Sequence, residues 1–336
     1  MNPPGGTLHV VDRLSEPVFS VLGPGTAMLH ELGAPQTVVL IDRAEDAHRL
    51  LRFSDGVRLV PVATARPAWR HWAALRRAVR EEMLRMQPSA VHFHGALARL
   101  WSAGLVGHPG RKVWVSTHGS ALSRWGAFAP AQVDGVVDAA FFMARHRESR
   151  RPLIVSGCHD DNRKAVELFC RAAVIFGAAE LKLAFNWCGP VTDAAAARLK
   201  AAGIGTAPAL DDAALASRLE SAWVYFAGGG EALFPIQLAQ AMACGLPCLA
   251  ADVPAYRGVV EDGVTGLLYR SEQEALQLLT VLIDDRALRQ RLGEAARHAA
   301  LQRFSRQRLR LDLLALYRDA AVPAPALEPQ DGSQDG

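Results

Sequence analysis

Short apolar runs alternate with longer amphipathic stretches along the chain. Residues 7–12, 36–42, 57–62, 90–94, 112–117 and 136–142 have the length and apolar content of buried strands. A second series follows at 153–156, 181–187, 203–206, 223–227 and 247–251. Between them the apolar positions take a helical period, as at 69–86, 163–176, 193–202, 212–222, 236–243 and 274–283. Strands apolar on both faces, alternating with helices, predict the α/β class, with parallel sheets covered by helices on both sides. There are too many units for one ordinary open sheet. The pattern predicts two doubly wound, Rossmann-like domains facing a cleft at the carboxyl ends of their strands, where ligands bind. The polar, Arg-rich stretch 144–152 marks the expected break. The expected domains are 1–148 and 149–303, with a helix at 304–320 packing back toward the first. The Pro-, Ala- and Gln-rich tail, 321–336, is expected to be disordered.

Composition narrows the function classes. The chain has 336 residues, half of them apolar and 21% charged, which is ordinary for a globular protein. Lysine and arginine (37) exceed aspartate and glutamate (34) by 3. That surplus is too small to argue for a nucleic-acid partner. The five cysteines contain no CxxC pair and read as reduced residues of a cytoplasmic protein. No basic-then-apolar leader stands at 1–7, and no apolar run approaches the roughly 18 residues of a membrane span.

The most informative segment is 223–245, WVYFAGGGEALFPIQLAQAMACG. An apolar strand runs into Gly228, Gly229 and Gly230, then Glu231, then a helix with Pro235 near its start. Glycines let backbone N–H groups approach a ligand, and a helix start offers free N–H groups to a phosphate. Glu231 would repel a phosphate, so it suits sugar hydroxyls. A tight turn without a ligand is the competing reading. The loop expected after the first strand, 13–26, contains Gly23-Pro24-Gly25. It is not a dinucleotide fingerprint, and no Walker lysine motif occurs, which disfavours an NAD enzyme or an NTPase.

The run AMACGLPCLAADVPAYRGVVEDGVTGLLY (241–269) resembles the donor domain of family 4 glycosyltransferases. These have the GT-B fold, transfer sugar from a nucleotide-diphospho-sugar, and retain anomeric configuration. The stretch ending near Tyr317 is similar to the family's C-terminal helical region. The resemblance runs over about residues 150–318, and VHFHG and VSTHGS fall where the family has strand ends in its N-terminal domain. It implies an acceptor-binding first domain and a nucleotide-sugar-binding second domain. Catalytic roles fall to His118, beside the reacting sugar, and to Glu231. Donor binding falls to Gly23, Gly25, Arg163, Lys164, Gly229, Gly230, Ala232, Leu233, Phe234, Gln240 and Thr265. His94 is placed on the acceptor side.

The sequence also departs from the family pattern. The second glutamate of its Glu-x7-Glu stretch is Gln240 here, the first position falls on Ala232 unless Leu233 is an insertion, and a later glutamate is Gly258. Gln240 can hydrogen-bond a ribose hydroxyl but supplies no negative charge. In IVSGCHDDNRKAVELFCRAA (154–173) Lys164 matches the family's diphosphate-binding lysine, while the arginine position is His159, with Arg163 a stand-in. A positioned cation stabilises a departing diphosphate. Solvated charges in a first helical turn are the bland alternative.

His92 and His94, at i and i+2 on a strand, share a face. Together with His118 they have the makings of a three-histidine metal site. With no acidic residue beside them, and a family whose transfer is not strictly metal-dependent, no metal is expected; His92 reads as a packed histidine. The helix 69–86 carries Trp69, Arg70, Trp72, Arg76, Arg77 and Arg80, a composition suited to an anionic bilayer or simply to a solvated face.

The expected activity is hexosyl-type transfer from a UDP- or GDP-sugar to a glycan or lipid-linked acceptor in cell-surface polysaccharide synthesis. The expected place is the cytoplasm, with peripheral contact at the inner face of the membrane, and no tightly bound cofactor. The alternative is a catalytically weak homologue acting as a nucleotide-binding partner subunit.

Overall fold

A computed structural model describes residues 6–14, 16–42, 50–51, 53, 55–63, 69–94, 112–116, 135–157, 163–178, 183–207, 210–229 and 234–318. The chain forms two compact α/β units. The first comprises Met1–Leu14, Gly25–Ser116 and Leu311–Gly336; the second comprises Ser15–Pro24 and Thr117–Arg310.

The first unit holds strands β1 (Thr7–Val11), β2 (Gln36–Asp42), β3 (Val57–Ala63), β4 (Ala90–His94) and β5 (Lys112–Ser116) in the order β3-β2-β1-β4-β5. Every pairing is parallel. Helix α1 (Glu16–Glu31) follows β1, and helix α2 (Trp69–Met86) precedes β4. In α2 the positions Trp72, Leu75, Val79 and Met83 repeat at helical spacing and are buried. They pack on the sheet face formed by Leu8, Val10, Val39, Ile41, Val91 and Phe93. Trp72 is therefore spent on the core, while Arg76, Arg77 and Arg80 stay exposed. Alternation along β1 and β4 sends His9, His92 and His94 to the opposite face.

The second unit holds β6 (Leu153–Ser156), β7 (Ala184–Cys188), β8 (Gly205–Ala207), β9 (Val224–Ala227), β10 (Cys248–Ala251) and β11 (Leu267–Tyr269). Their order is β11-β10-β9-β6-β7-β8, again all parallel. This is the doubly wound arrangement, with its switch point between β6 and β9. Its helices are α3 (Ala139–Met143), α4 (Arg163–Ala178), α5 (Asp193–Ala201), α6 (Asp212–Glu220), α7 (Ile236–Ala243), α8 (Pro254–Arg257), α9 (Glu272–Asp284) and α10 (Arg286–Phe304). Helix α11 (Arg306–Arg318) ends the described chain. Thr192, Asp211, Ser271 and Asp285 cap the helices that follow them, each accepting from a backbone N–H three residues on. Phe169 packs edge-on against Phe185, tilted against Trp187 and stacked on Phe226, at 5.4–5.9 Å between centroids, in the core.

Two expected elements differ. Residues 136–142 are not a strand. Asp138 accepts from Ala140 N at 2.9 Å and starts α3, whose Phe141 is fully buried. Nor is 13–26 a loop, since α1 runs through Gly23, Pro24 and Gly25. The buried positions Val18, Leu22 and Leu29 give the stretch a helical period that its glycines disguise. Pro24 has no N–H for the Ser20 carbonyl, and that carbonyl instead accepts from Val136 N at 3.1 Å. A Cβ on Gly23 would lie 2.7 Å from the Phe19 ring, so its small size serves packing. Among the described residues no helix is long and apolar enough to cross a membrane.

Candidate functional site

In the second unit the chain leaves β6 at Ser156 and Gly157, and leaves β9 at Gly228 and Gly229. These two strands flank the switch point, where adjoining loops diverge and leave room for a ligand. Both exits are tightly shaped. A Cβ on Gly157 would sit 1.8 Å from the Cys188 carbonyl oxygen. A Cβ on Gly228 would sit 2.7 Å from Ala165 Cα, in the first turn of α4. Gly229 has φ +100°, a left-handed conformation that favours glycine.

The contact with Ala165 brings the end of β9 against the residue next to Lys164. Two separate sequence expectations, the glycine turn and the lysine, thus meet in one place. Gly228→Ala must push strand end and helix apart. We expect it to lose about 1–3 kcal/mol of stability, together with any nucleotide-dependent gain in melting temperature. Calorimetry with and without nucleotide checks both.

The two cations at the start of α4 differ. Arg163 is exposed and donates to Glu167 Oε1 at 2.8 Å, and Arg198 donates to the same oxygen at 2.9 Å. Those hydrogen bonds hold the Glu167 carboxyl below its usual range. Arg163 is turned back onto its own helix. Lys164 has no ion-pair partner among the described residues, and lies at the positive end of the helix.

Below the strand ends lies a polar network. Tyr225 Oη donates to the Gly157 carbonyl at 3.0 Å, and Gln237 Nε2 donates to the Cys188 carbonyl at 3.2 Å. Gln240 stands one turn further along α7, 6% exposed, and its Oε1 has no hydrogen-bond partner. Ser156 Oγ is likewise buried without one. An unpaired buried acceptor or hydroxyl costs about 1–3 kcal/mol, which a ligand hydroxyl can recover.

Other expected site residues have structural occupations. Phe234 stacks edge-on against Phe304 at 5.2 Å and is buried. Thr265 Oγ1 accepts from Glu261 N at 2.8 Å and closes the turn before β11. Gly23 and Gly25 lie within α1. His94 is buried in the first unit, with His9 and His92. His118, Glu231, Gly230, Ala232 and Leu233 lie outside the described residues. Burial pushes the Cys188 thiol up to about 11 and Cys244 up to about 12, so neither is a nucleophile at neutral pH.

Sequence reasoning passed over Ser156, Gln237 and His9. Gln237 had a signal, since it lies three residues before Gln240 on the same helix face. His9 had none until β1 and β4 are known to be neighbours.

Comparison with known proteins bears on this site. Residues 151–299 match the family described as glycosyl transferases group 1. That stretch contains Lys164, the glycine turn and Gln240. The phosphatidyl-myo-inositol mannosyltransferase of Mycobacterium tuberculosis is 37% identical over 121 residues, covering 33% of this chain and 31% of that protein. The chain thus aligns with about a third of the length of the curated relatives it matches. Among solved structures, sucrose-phosphate synthase of Thermosynechococcus elongatus superposes with a TM-score of 0.75 at 13% identity, over 94% of this chain and 98% of that one. HepE of Anabaena, solved with UDP-glucose, gives a TM-score of 0.69 at 12% identity, over 93% and 99%. These likenesses establish the fold: the chain has the two Rossmann-like units of GT-B glycosyltransferases.

Proposed function

We propose that the chain is a glycosyltransferase using a nucleotide-diphospho-sugar, a UDP- or GDP-sugar, with a glycan or lipid-linked acceptor. Transfer retains anomeric configuration and serves cell-surface polysaccharide synthesis at the cytoplasmic face of the membrane. The carrying observation is that the group 1 match, 151–299, includes the switch point where Gly228 closes on the first turn of α4 beside Lys164. HepE binds UDP-glucose, and the mycobacterial relative is named for mannosyl transfer to a phosphatidylinositol; both support this donor and acceptor chemistry.

In the reaction the anomeric carbon exchanges the terminal phosphate oxygen for an acceptor hydroxyl oxygen. Negative charge collects on the departing diphosphate. Lys164, the backbone amides of the glycine turn and the start of α4 meet that charge, and such preorganised groups lower the barrier. Gln240 Oε1 accepts from a ribose hydroxyl. Glu231 holds sugar hydroxyls, His118 stands by the reacting carbon, and the first unit recognises the acceptor.

A thermal-shift panel with UDP, GDP, ADP, dTDP and CMP tests the reading. A nucleotide at 100 times its Kd stabilises by about 2.7 kcal/mol, or about 5–10 °C for a unit of this size. One nucleotide should give that shift. No shift with any of them would sink the donor site.

Gln240, standing where the family pattern has glutamate, favours one second reading: a nucleotide-binding partner subunit without turnover. Nucleotide binding without consumption of any sugar nucleotide, across acceptors, would select it.

A further inference from the structure

Three histidines meet in the first unit. His9 lies on β1, and His92 and His94 lie on the adjacent parallel strand β4. His9 is directly opposite His92 in register, and His94 follows two residues on, so all three rings leave the same sheet face. They are 2%, 3% and 1% exposed. One ring nitrogen from each lies within 4.8 Å of the other two. His9 Nδ1 and His94 Nε2 are 3.2 Å apart.

That spacing has a specific meaning. Two nitrogens on one tetrahedral zinc, each bonded at about 2.0–2.1 Å, stand about 3.3 Å apart. A His–His hydrogen bond fits the same distance, but it needs only two rings. The third imidazole, His92, lies within ligand distance of the same point.

A second observation lies on the far side of His9. Its Nε2 is buried without a hydrogen-bond partner, and so is Gln36 Oε1. Gln36 Nε2 donates to the Thr26 carbonyl at 2.7 Å, which fixes the amide and leaves Oε1 as its open acceptor. Gln36 lies beside the His9 ring. A ligating histidine that donates its second N–H to a neighbouring oxygen has a fixed tautomer and a firmer bond.

We propose that His9 Nδ1, His94 Nε2 and a ring nitrogen of His92 bind one divalent transition-metal ion, with Gln36 orienting His9. The all-imidazole donor set suits zinc, cobalt, nickel or copper rather than magnesium or calcium, which prefer oxygen. Three protein ligands leave the fourth position to an exogenous ligand. The ion ties β1 to β4 at the switch point of the first sheet. The site does not depend on the donor reading, because none of its residues is used there.

The test is a titration of the chelator-stripped full-length chain with zinc, against a chromophoric competitor. Cobalt(II) is the spectroscopic probe, since its visible bands report tetrahedral nitrogen ligation. One ion per chain is expected. His9→Gln should abolish the tetrahedral cobalt spectrum. Gln36→Met touches no ligand, and should weaken zinc affinity by about 10- to 100-fold. Circular dichroism checks the fold of each variant. If His9→Gln does not fold, the wild-type spectrum and Gln36→Met decide. Failure of the wild type to take up an ion would overturn the proposal. So would tight binding that Gln36→Met and a folded His9→Gln leave unchanged, because the ion would then sit elsewhere. Nucleotide shifts are read separately, so failure here leaves the donor reading standing.

Discussion

Arg289→Ala should destabilise the second unit by about 3–5 kcal/mol, because it strips one partner from a buried ion pair. Arg289 is 2% exposed. Its Nε donates to Glu148 Oε1 at 2.7 Å and its Nη2 to Glu148 Oε2 at 3.1 Å. Nη1 donates to the carbonyls of Leu282 and Ile283 at 2.6 and 2.8 Å, at the end of α9. The guanidinium lies 4.0 Å from the centre of the Trp223 ring. One side chain therefore joins the stretch before β6, the start of β9 and the α9–α10 turn.

Truncation leaves the largely buried Glu148 with only the exposed Arg286, 3.7 Å away, to meet its charge, and takes a donor from two carbonyls. The melting temperature should fall by about 6–20 °C, and urea unfolding followed by tryptophan fluorescence gives the free energy. The double change Arg289→Met with Glu148→Leu should recover much of the loss, since it removes both charges. Arg163→Ala serves as the control. That ion pair is exposed, and its removal should leave the melting temperature unchanged. A loss under about 1 kcal/mol for Arg289→Ala would mean the pair is not the anchor its geometry implies.

The second large effect is functional. Lys164→Ala should weaken nucleotide-diphosphate binding roughly 10- to 150-fold, the 1.5–3 kcal/mol of a charge-assisted hydrogen bond. Lys164 is exposed, so the fold should be indifferent to its loss. Arg163→Ala in the same titration should do much less, because that guanidinium is already engaged by Glu167. Isothermal titration with the nucleotide found in the thermal-shift panel separates the two. Equal losses would assign the charge to the helix turn as a whole. Unchanged affinity for Lys164→Ala would remove it from the site.

Most strands were legible because each is a short apolar run bounded by polar turns, and burial on both faces leaves little room for another pattern. The order of the elements followed from the same alternation. The three-residue strand β11 escaped, because Leu267–Tyr269 is too short to show a period. The strand expected at 136–142 failed because one capping aspartate, Asp138, outweighs a run of Val, Ala and Phe. The loop expected at 13–26 failed for the converse reason. Gly23-Pro24-Gly25 carries strong breaker residues, yet α1 continues because its apolar positions are buried and the Ser20 carbonyl finds Val136.

By itself the sequence determined the α/β class, the doubly wound pattern and a glycine turn between strand and helix, while Lys164 stood out only through its resemblance to the family's diphosphate-binding lysine. These are local properties: periodicity, chain punctuation and the chemistry of single residues. Only the tertiary structure decided that Gly228 closes on the turn that carries Lys164, and that among the described residues Arg163 has an ion-pair partner and Lys164 has none. It alone joined Glu148 to Arg289, 141 residues away. It also added His9 to His92 and His94, because sheet order sets β1 beside β4. The physical reason is common to all four. Which residues meet depends on strand order and helix packing, and these are fixed by burying the whole apolar surface at once rather than by any one segment.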